Sequence, residues 1–422
     1  MHSDDLPHMV YDIGGRCWIK GAPGYAEAIA HAFEQRLRPR CLCRLNPEGQ
    51  GIEMYVARLG DGYIVKRMPE TGSQHAPDCL SYEPTAEFSG LGQLIGSAIS
   101  ENPATGETAL RLDFPMTKMP GRSRTPRAYG RGDSTASEGT KLSLRDLLYY
   151  LWNQADLTRW HPGFAGKRTW STVRRHLLAA AAPMVASGDP LLHRLYLPEV
   201  FSVEQRDAIN ARRLAQWTPA LAQPGRVNPL MLLIGEVKEI VPSRFGFKAV
   251  IKHVPDQAFA IDERLYRRLK RRFATELELW GADDAVRLTI IATFGVTNGG
   301  LPCIDALSLM ALSTEWIPIA NGFEGHLVRA LVHDRRSFVK ACNYNRRNDS
   351  DRACALLTDT GEVIELAINM ESQCPPVKAD HMTSSSSAVA SRWTWFPTHQ
   401  PFPEMPAISV ESTPRVYRFA MP

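Results

Sequence analysis

The sequence lacks the two features that would by themselves assign a chain of 422 residues to a membrane or to a highly charged partner. No run of about 18 or more apolar residues exists, and a helix that crosses a bilayer needs a run of that length. The first twenty residues contain Asp4, Asp5 and Asp12 and no apolar segment typical of a secretory signal. The 49 basic and 45 acidic residues leave a formal charge of only +4. We therefore expect a soluble cytoplasmic protein without membrane contact.

Cysteines and the common catalytic motifs are also scarce. Eight cysteines in 422 residues are too few for a disulfide scaffold. Five are isolated in the sequence and are expected to be small buried hydrophobic residues, namely Cys17, Cys303, Cys342, Cys354 and Cys374. The chain has no phosphate-binding Gly-x4-Gly-Lys-Ser/Thr loop, no Gly-x-Gly-x-x-Gly loop and no Gly-x-Ser-x-Gly turn. These absences, with histidines that are scattered, predict no catalytic residue.

The remaining cysteines occur with a histidine at a spacing typical of a zinc site. Cys41-x-Cys43 is followed, 31 residues later, by His75-x3-Cys79. Zinc takes four nitrogen or sulfur ligands in a tetrahedron, so two ligands from each of two short turns suffice. The intervening residues alternate in strand fashion around the turn at 59–62, which predicts a hairpin. Such a hairpin brings the two ligand pairs together.

Two other interpretations of this motif are available. The four residues can be unrelated cysteines and a surface histidine, or they can hold a catalytic zinc. A catalytic zinc is disfavoured because four protein ligands leave no position for water. A structural zinc held by Cys41, Cys43, His75 and Cys79 is therefore predicted, and loss of one ligand would remove folding energy.

Composition divides the chain into five segments and predicts an α+β multidomain protein. The first segment is a zinc-stapled β-hairpin module, the middle is helical, and the C-terminal region is α/β. Four consecutive serines at 384–387 indicate a tail that is largely disordered. The predicted segments are the zinc-binding module 1–117, a flexible basic linker 118–141, a helical segment 142–222, the α+β region 223–370 and the Pro- and Ser-rich tail 371–422.

Hydrophobic periodicity locates the main elements. Ser143 is expected to be the N-cap of its helix. The predicted helices are Tyr25–Arg38, Ser143–Leu157, Thr169–Ala181, Val203–Gln216, Asp262–Trp280 and Phe323–Val332. The predicted strands of the C-terminal region include Leu230–Ile240 paired with Lys248–Val254, then Arg287–Phe294 and Ile304–Ala311.

A basic segment suggests contact with nucleic acid. Lys118 to Arg175 holds twelve Lys and Arg against four Asp and Glu. Two predicted helices joined by a short turn are compatible with a helix-turn-helix variant whose cations meet phosphates. The alternative is an ordinary solvated helix face. The candidate contact residues are Lys167, Arg168, Arg174 and Arg175.

Several segments resemble one known family. They are Arg38–Cys43, Met54–Arg58, Lys66–Pro69, His75–Glu83, Leu144–Leu148, Ala165–Trp170, Leu232–Ile240 and Glu315–Pro318. Together they resemble the bacterial domain of unknown function family 1173, over roughly residues 20–370. The resemblance implies a context on integrative and conjugative elements of Proteobacteria and implies no activity.

Two places invite comparison with Mg²⁺-dependent nucleases. Glu236-Val-Lys238 has the Glu-x-Lys of restriction-type enzymes, but the closest upstream Asp is Asp207 on a predicted helix. Residues 335–370 are distantly similar to nuclease-like domains of conjugative-element proteins. There Cys354 stands where the similarity implies a metal-binding Asp, and Glu365 lacks its Lys. Asp359 and Glu365 would then be remnants in a degenerate, inactive domain.

The combined expectation is a mobile-element-associated zinc protein that is a non-catalytic nucleic-acid-binding or accessory factor. Its partners would be DNA or RNA, or other proteins of the mobile element. A Mg²⁺-dependent nuclease is the first alternative. A protein-interaction scaffold with purely structural zinc is the second.

Overall fold

The computed structural model describes residues 9–59, 62–119, 141–223, 225–342, 344, 353–370 and 391–409. The chain is a mixed α+β protein in which strands dominate the N- and C-terminal parts and helices dominate the middle. Most of the predicted linker 118–141, namely 120–140, and most of the predicted tail lie outside the described residues.

Four of the helices within the described ranges begin at a side-chain N-cap, namely those capped by Ser143, Thr169, Asp262 and Asn321. Ser143 accepts a hydrogen bond from the Asp146 amide and Asp146 accepts one from the Ser143 amide, which confirms the predicted N-cap. Thr169 and Asp262 cap their helices in the same way. The helices are α1 (Tyr25–Glu34), α2 (Ala86–Ser89), α3 (Leu144–Gln154), α4 (Trp170–Ala181), α5 (Arg206–Trp217), α6 (Glu263–Arg272), α7 (Ala274–Ala282) and α8 (Gly322–His333).

The strands form several sheets. In chain order they are β1 (Val10–Ile13), β2 (Arg16–Ile19), β3 (Arg40–Leu45), β4 (Gly51–Leu59), β5 (Gly62–Arg67), β6 (Ile99–Glu101), β7 (Thr108–Leu110), β8 (Thr117–Lys118), β9 (Arg159–Trp160), β10 (Met184–Ala186), β11 (Asp189–Pro190), β12 (Leu195–Tyr196), β13 (Asn228–Pro229), β14 (Met231–Ser243), β15 (Gly246–Ile251), β16 (Ala258–Ile261), β17 (Arg287–Val296), β18 (Pro302–Leu312), β19 (Phe338–Lys340), β20 (Ala353–Leu357), β21 (Ile364–Ile368) and β22 (Ser391–Trp395).

The N-terminal sheet has the order β2-β1-β3-β4-β5. Strands β4 and β5 pair antiparallel from Met54↔Arg67 to Leu59↔Gly62, so the predicted hairpin exists. Helix α1 lies against β1, β4 and β5. The core of this part includes Tyr11, Ile29 and Met54, and it also contains Cys41 and Cys79.

The central strands form a closed five-stranded barrel. Strand β14 pairs with β15 through its second half and with β17 through its first half. The circuit is completed by β15–β16, by parallel β16–β18 and by β17–β18. If the five strands are numbered by their order in the chain, their order around the barrel is first, second, third, fifth, fourth and back to the first. The helices α6 and α7 connect the third strand to the fourth.

Alternate residues of β14 face opposite sides of the barrel wall, as expected for a strand. Met231 and Leu233 belong to the cluster inside the barrel, with Phe259 and Phe294. Leu232 and Ile234 belong instead to the largest cluster of the protein, which lies outside the barrel and contains α3 and α4 residues. The barrel is thus covered on its β14–β17 side by the helical middle of the chain.

That largest cluster crosses the predicted segment boundaries. It includes Leu110 from the first segment, Leu148 from the helical segment and Ile291 from the C-terminal region. The indole Nε1 of Trp152 donates to the carbonyl of Trp316 at 2.9 Å. Residues from three of the predicted segments therefore pack in one hydrophobic cluster.

Two predicted elements differ from the structure. The predicted helix Asp262–Trp280 is two helices, because Phe273 leaves the helical conformation (φ −117°, ψ 33°) and is buried. The tail predicted to be largely disordered contains one ordered strand, β22, which pairs parallel with β21. Trp395 is buried there against Phe323 and Phe402, so apolar burial offsets the cost of ordering this segment. Residues 371–390 and 410–422 of the tail lie outside the described ranges.

No helix in the described part of the chain is long and apolar enough to cross a bilayer.

Candidate metal centre

Two of the predicted ligands lie on one strand. Cys41 and Cys43 belong to β3, where residues two apart point to the same face. Gly51 of β4 lies against them, and a Cβ at Gly51 would be 2.5 Å from the Cys41 carbonyl oxygen. The close approach of β4 to this part of β3 therefore requires glycine.

The other two ligands lie in a series of tight turns. His75 ends a 3₁₀ turn at Gly72–Gln74, and the Cys79 amide donates to the Ala76 carbonyl at 2.9 Å. A Cβ at Gly72 would be 2.5 Å from the Cβ of Glu83, so this turn also requires glycine. The His75-x3-Cys79 spacing places the imidazole and the thiol on the same side of the turn.

The structure brings the four predicted ligands together. Their ligand atoms all lie within 4.8 Å of one another. Cys41 Sγ is 3.8 Å from Cys79 Sγ, and His75 Nδ1 is 3.3 Å from Cys43 Sγ and 3.8 Å from Cys79 Sγ. Tetrahedral zinc has edges of about 3.8 Å between sulfurs and about 3.6 Å between sulfur and nitrogen. The cluster can hold one metal ion, and its geometry is consistent with zinc.

Backbone amides support the sulfurs. The Ala76 amide donates to Cys43 Sγ at 3.5 Å, and the Ser81 amide donates to Cys79 Sγ at 3.4 Å. Such hydrogen bonds favour thiolates, which are the form of cysteine that binds metal. His75 is fully buried, and its Nε2 has no hydrogen-bond partner in the described ranges. Nδ1 is the nitrogen that faces the sulfurs, because it lies 3.3 Å from Cys43 Sγ and 3.8 Å from Cys79 Sγ.

The close packing of the thiols perturbs their protonation. Hydrogen bonds to Cys43 and Cys79, together with burial, raise the pKa of Cys41. Hydrogen bonds from Cys41 and Cys79 lower the pKa of Cys43. Three thiols at this separation cannot ionise independently, and a cation among them would remove the conflict.

Polar contacts join this cluster to the rest of the protein. Arg159 of β9 is buried and donates a hydrogen bond to the carbonyl of Tyr82, three residues after Cys79. Arg67 at the end of β5 pairs with Glu83. The metal-binding turn is therefore held from both the N-terminal sheet and the helical middle.

The four predicted nucleic-acid residues have different environments. Arg168 donates to the carbonyls of Leu157 at 3.0 Å and Glu315 at 3.2 Å, and burial lowers its pKa to about 10. Arg174 donates to the carbonyl of Leu197. Both guanidiniums thus serve contacts inside the protein. Lys167 and Arg175 are exposed. Binding of nucleic acid by these residues stays a prediction.

The first nuclease-like place contains an ion-pair cluster. Glu236 is buried, and its Oε1 accepts hydrogen bonds from Lys252 at 2.6 Å and Arg287 at 3.0 Å. A pocket of about 220 Å³ is lined by these residues together with Lys238 and Asp284. Asp284 follows α7 and belongs to no strand, so strand-based reasoning from the sequence did not identify it.

The second nuclease-like place is occupied by internal contacts. Asp359 is buried and accepts hydrogen bonds from Nε and Nη2 of Arg336, at 2.9 and 2.8 Å. Cys354 is buried, and its thiol donates to the carbonyl of Leu366. Asp207, the closest Asp upstream of Glu236, is in α5.

The expectation that the isolated cysteines are buried is confirmed only in part. Cys342 and Cys354 are buried, and burial raises the pKa of each to about 12. Cys17 is exposed on the edge strand β2, so the expectation of burial was wrong there. Cys303 is half-buried, and Cys374 lies outside the described residues.

These features define a mixed α+β protein with a cluster of three cysteines and one histidine that can hold a metal ion. The chain belongs to the family described as protein of unknown function (DUF1173), whose model matches residues 11–398. This match confirms the resemblance seen in the sequence. No curated protein matches the chain, and no solved structure matches it.

Proposed function

We propose that the chain binds one zinc ion for structural purposes. The observation that carries this proposal is the arrangement of Cys41, Cys43, His75 and Cys79, whose ligand atoms all lie within 4.8 Å of one another and in three pairs are 3.3–3.8 Å apart. Four protein ligands complete the tetrahedron and leave no position for a catalytic water. Zinc would link β3 to the turn at 75–79 and so stabilise the N-terminal part of the fold.

Metal analysis tests this proposal directly. We expect about one zinc per chain in purified protein, and loss of that zinc in Cys79→Ser. The matched control is Cys17→Ser, since Cys17 is an exposed cysteine outside the cluster. Protein that contains no zinc, iron or other divalent metal after expression in metal-supplemented medium would contradict the proposal. Because Cys79→Ser can fail to fold, the wild-type metal content decides the outcome.

We further propose that the protein is a non-catalytic, nucleic-acid-binding accessory factor of a mobile element. The central barrel supports this proposal. The barrel matches the OB-fold barrel in three respects. These are its strand order, the parallel pairing of its third and fifth strands, and the helical connection between its third and fourth strands. OB-fold barrels commonly bind oligonucleotides or oligosaccharides. A cytoplasmic location and a mobile-element context are part of the same proposal.

A fluorescence anisotropy titration of the wild-type protein tests nucleic-acid binding. Labelled single-stranded DNA, duplex DNA and RNA would be compared at 50 and 200 mM salt. We expect binding that weakens steeply with salt, because phosphate contacts release counterions. Absence of binding to all three at 50 mM salt would contradict the proposal and favour a protein-interaction scaffold.

A Mg²⁺-dependent nuclease is the second candidate, favoured only by the shared pocket of Glu236, Lys238 and Asp284. The two cations on Glu236 oppose it, because they already neutralise the carboxylate that would hold Mg²⁺. Cleavage that requires Mg²⁺ and is abolished by both Glu236→Gln and Asp284→Asn would establish this alternative.

A further inference from the structure

Helix α6 carries an unusually dense set of cations. Six of its ten residues are Arg or Lys, and all six are exposed. With the two acidic residues at 262 and 263, the stretch 262–272 has a net charge of +4, which equals that of the whole chain. The other 411 residues are therefore balanced overall. The net charge per residue of this stretch is higher than that of the basic segment 118–175, whose net charge of +8 (12 basic minus 4 acidic) is spread over 58 residues.

The cations follow a helical stripe. Arg264, Arg267, Arg268 and Arg271 are spaced i, i+3, i+4 and i+7, so they occupy one face of α6. At 1.5 Å per residue the stripe is about 10 Å long. That length corresponds to about three nucleotides of a stacked strand at 3.4 Å each.

The opposite face of α6 packs against the barrel, and this packing determines which way the arginines point. Leu265 and Leu269 are buried in the barrel interior cluster. Tyr266 stacks on Phe247 of β15. The helix is thus anchored to one end of the barrel, and its arginines point away from the core.

Little within the protein neutralises these arginines. Arg267 forms an exposed ion pair with Glu263 at 3.2 Å. Arg264, Arg268 and Arg271 form no ion pair with any residue that the structure describes. Four arginines on one helix face repel one another and lower the stability of the helix. An anionic partner that binds this face would reduce that repulsion.

The turn between β14 and β15 lies beside the start of α6. A Cβ at Gly246 would be 2.6 Å from the Ile261 carbonyl and 3.2 Å from the Glu263 amide. The same turn presents Phe245, which is 83% exposed, with the Arg244 guanidinium 5.2 Å from its ring centroid. An exposed aromatic ring beside a row of cations is the combination that binds single-stranded nucleic acids.

Resting on the proposed nucleic-acid function, we propose that the surface formed by Arg244, Phe245, Arg264, Arg267, Arg268 and Arg271 binds single-stranded nucleic acid. We call it the α6–turn surface. The guanidiniums contact phosphates, and the Phe245 ring stacks on an unpaired base. A duplex offers phosphates but no free base face, so it would use only part of this surface. An anionic membrane is disfavoured because the apolar residues of α6 are committed to the barrel.

Anisotropy titrations with labelled oligothymidine and oligouridine test the cationic part. The test variant is Arg264→Gln/Arg268→Gln/Arg271→Gln. The matched control is Arg16→Gln/Lys20→Gln/Arg36→Gln, which removes the same charge from exposed positions outside both the α6–turn surface and the predicted contact residues 167–175. Each single-strand phosphate contact contributes about 0.7 to the slope of log affinity against log salt. We expect the slope of the test variant to fall by about 2 and that of the control to stay unchanged.

The aromatic part is tested by Phe245→Ala against Phe245→Trp. Stacking of one base contributes a factor of about 5 to 100 in affinity. We expect Phe245→Ala to weaken single-strand binding by such a factor and to leave duplex binding unchanged. Phe245→Trp should retain single-strand binding. Thermal unfolding of every variant verifies that the fold is intact, as expected for exposed side chains.

The outcomes separate the proposals. If the wild-type protein binds no nucleic acid, the proposed function fails. If it binds but the α6 variant and the control behave alike, binding lies elsewhere and the α6–turn surface is wrong. Equal affinity for duplex, with no effect of Phe245→Ala, would overturn the preference for single strands. Binding only to vesicles of anionic lipid would overturn the assignment in favour of a membrane surface.

Discussion

Arg213 and Asp256 form a largely buried ion pair whose loss has a predictable energetic consequence. Arg213 lies in α5 with 5% of its side chain exposed, and Asp256 accepts two hydrogen bonds from it at 2.9 and 2.6 Å. These hydrogen bonds lower the pKa of Asp256. We expect Asp256→Asn to lower the free energy of unfolding by about 2 kcal/mol at pH 7, because it leaves a buried guanidinium without its counter-charge.

The pH dependence gives this prediction its sign. A carboxylate with a lowered pKa stabilises the fold above its unfolded pKa of about 3.9 and loses that contribution as pH falls through its folded pKa. The difference in free energy of unfolding between the wild type and Asp256→Asn should therefore become smaller below about pH 4. Urea unfolding at pH 7 and pH 3 measures it. The control Asp189→Asn removes an exposed pairing at 3.8 Å and should change stability by less than about 0.5 kcal/mol.

The metal ligands could be predicted from the sequence because metal sites impose spacing on residues of few types. The role of Arg168 could not. Its guanidinium meets the carbonyls of Leu157 and Glu315, and the second lies 147 residues further along the chain. A basic residue near a tryptophan looks the same in a sequence whether it contacts phosphate or supports distant backbone.

At the scale of elements, the capping box of α3 is a test of local stability. Ser143 Oγ accepts from the Asp146 amide at 3.2 Å, and the Asp146 carboxylate accepts from the Ser143 amide. We expect Ser143→Ala to lower the free energy of unfolding by about 1 kcal/mol. The Asp146 amide loses its acceptor, and the hydrogen bond from the Ser143 amide to the Asp146 carboxylate loses the partner that holds it in place. Equilibrium unfolding measures the change. Ser171→Ala in α4, which removes an exposed serine outside a cap, should have almost no effect.

The type of most long elements followed from periodicity, and the errors have local physical causes. Residues 262–280 keep helical spacing throughout, yet the helix breaks at Phe273, whose ring is buried at the end of the barrel cluster. The barrel itself was not predicted. Its closure depends on one strand, β14, pairing with two partners through its two halves, and such sharing leaves no mark on the alternation of residues.

For the whole molecule, the C-terminal strand predicts a consequence of truncation. Strand β22 completes a sheet with the order β22-β21-β20-β19-β9, and Trp395 is buried beside Phe323 and Phe402. Removal of residues 371–422 should therefore destabilise the protein by about 3 kcal/mol or more, the scale of losing one buried aromatic residue. Thermal unfolding and binding of a hydrophobic dye would measure the change. Removal of 410–422 alone leaves β22 in place, and a result equal to the longer truncation would contradict this role of β22.

The predicted segment boundaries follow changes in amino-acid composition, and they stay predictions. The packing explains why changes in composition do not locate independently folding units in this chain. Leu110, Leu148 and Ile291 share one hydrophobic cluster although they come from three predicted segments. Such sharing is decided by tertiary contacts between distant residues, which a single sequence does not display.

The bond from the Trp152 indole to the carbonyl of Trp316 also has a consequence for synthesis on the ribosome. The donor leaves the ribosome 164 residues before its acceptor. At about 5–20 residues per second, that delay lasts on the order of ten seconds or more. During this time α3 carries leucines and aromatic rings whose native neighbours in β17 and β18 have not yet been made. This face of α3 is therefore expected to stay without its complete native packing until translation has passed β17 and β18.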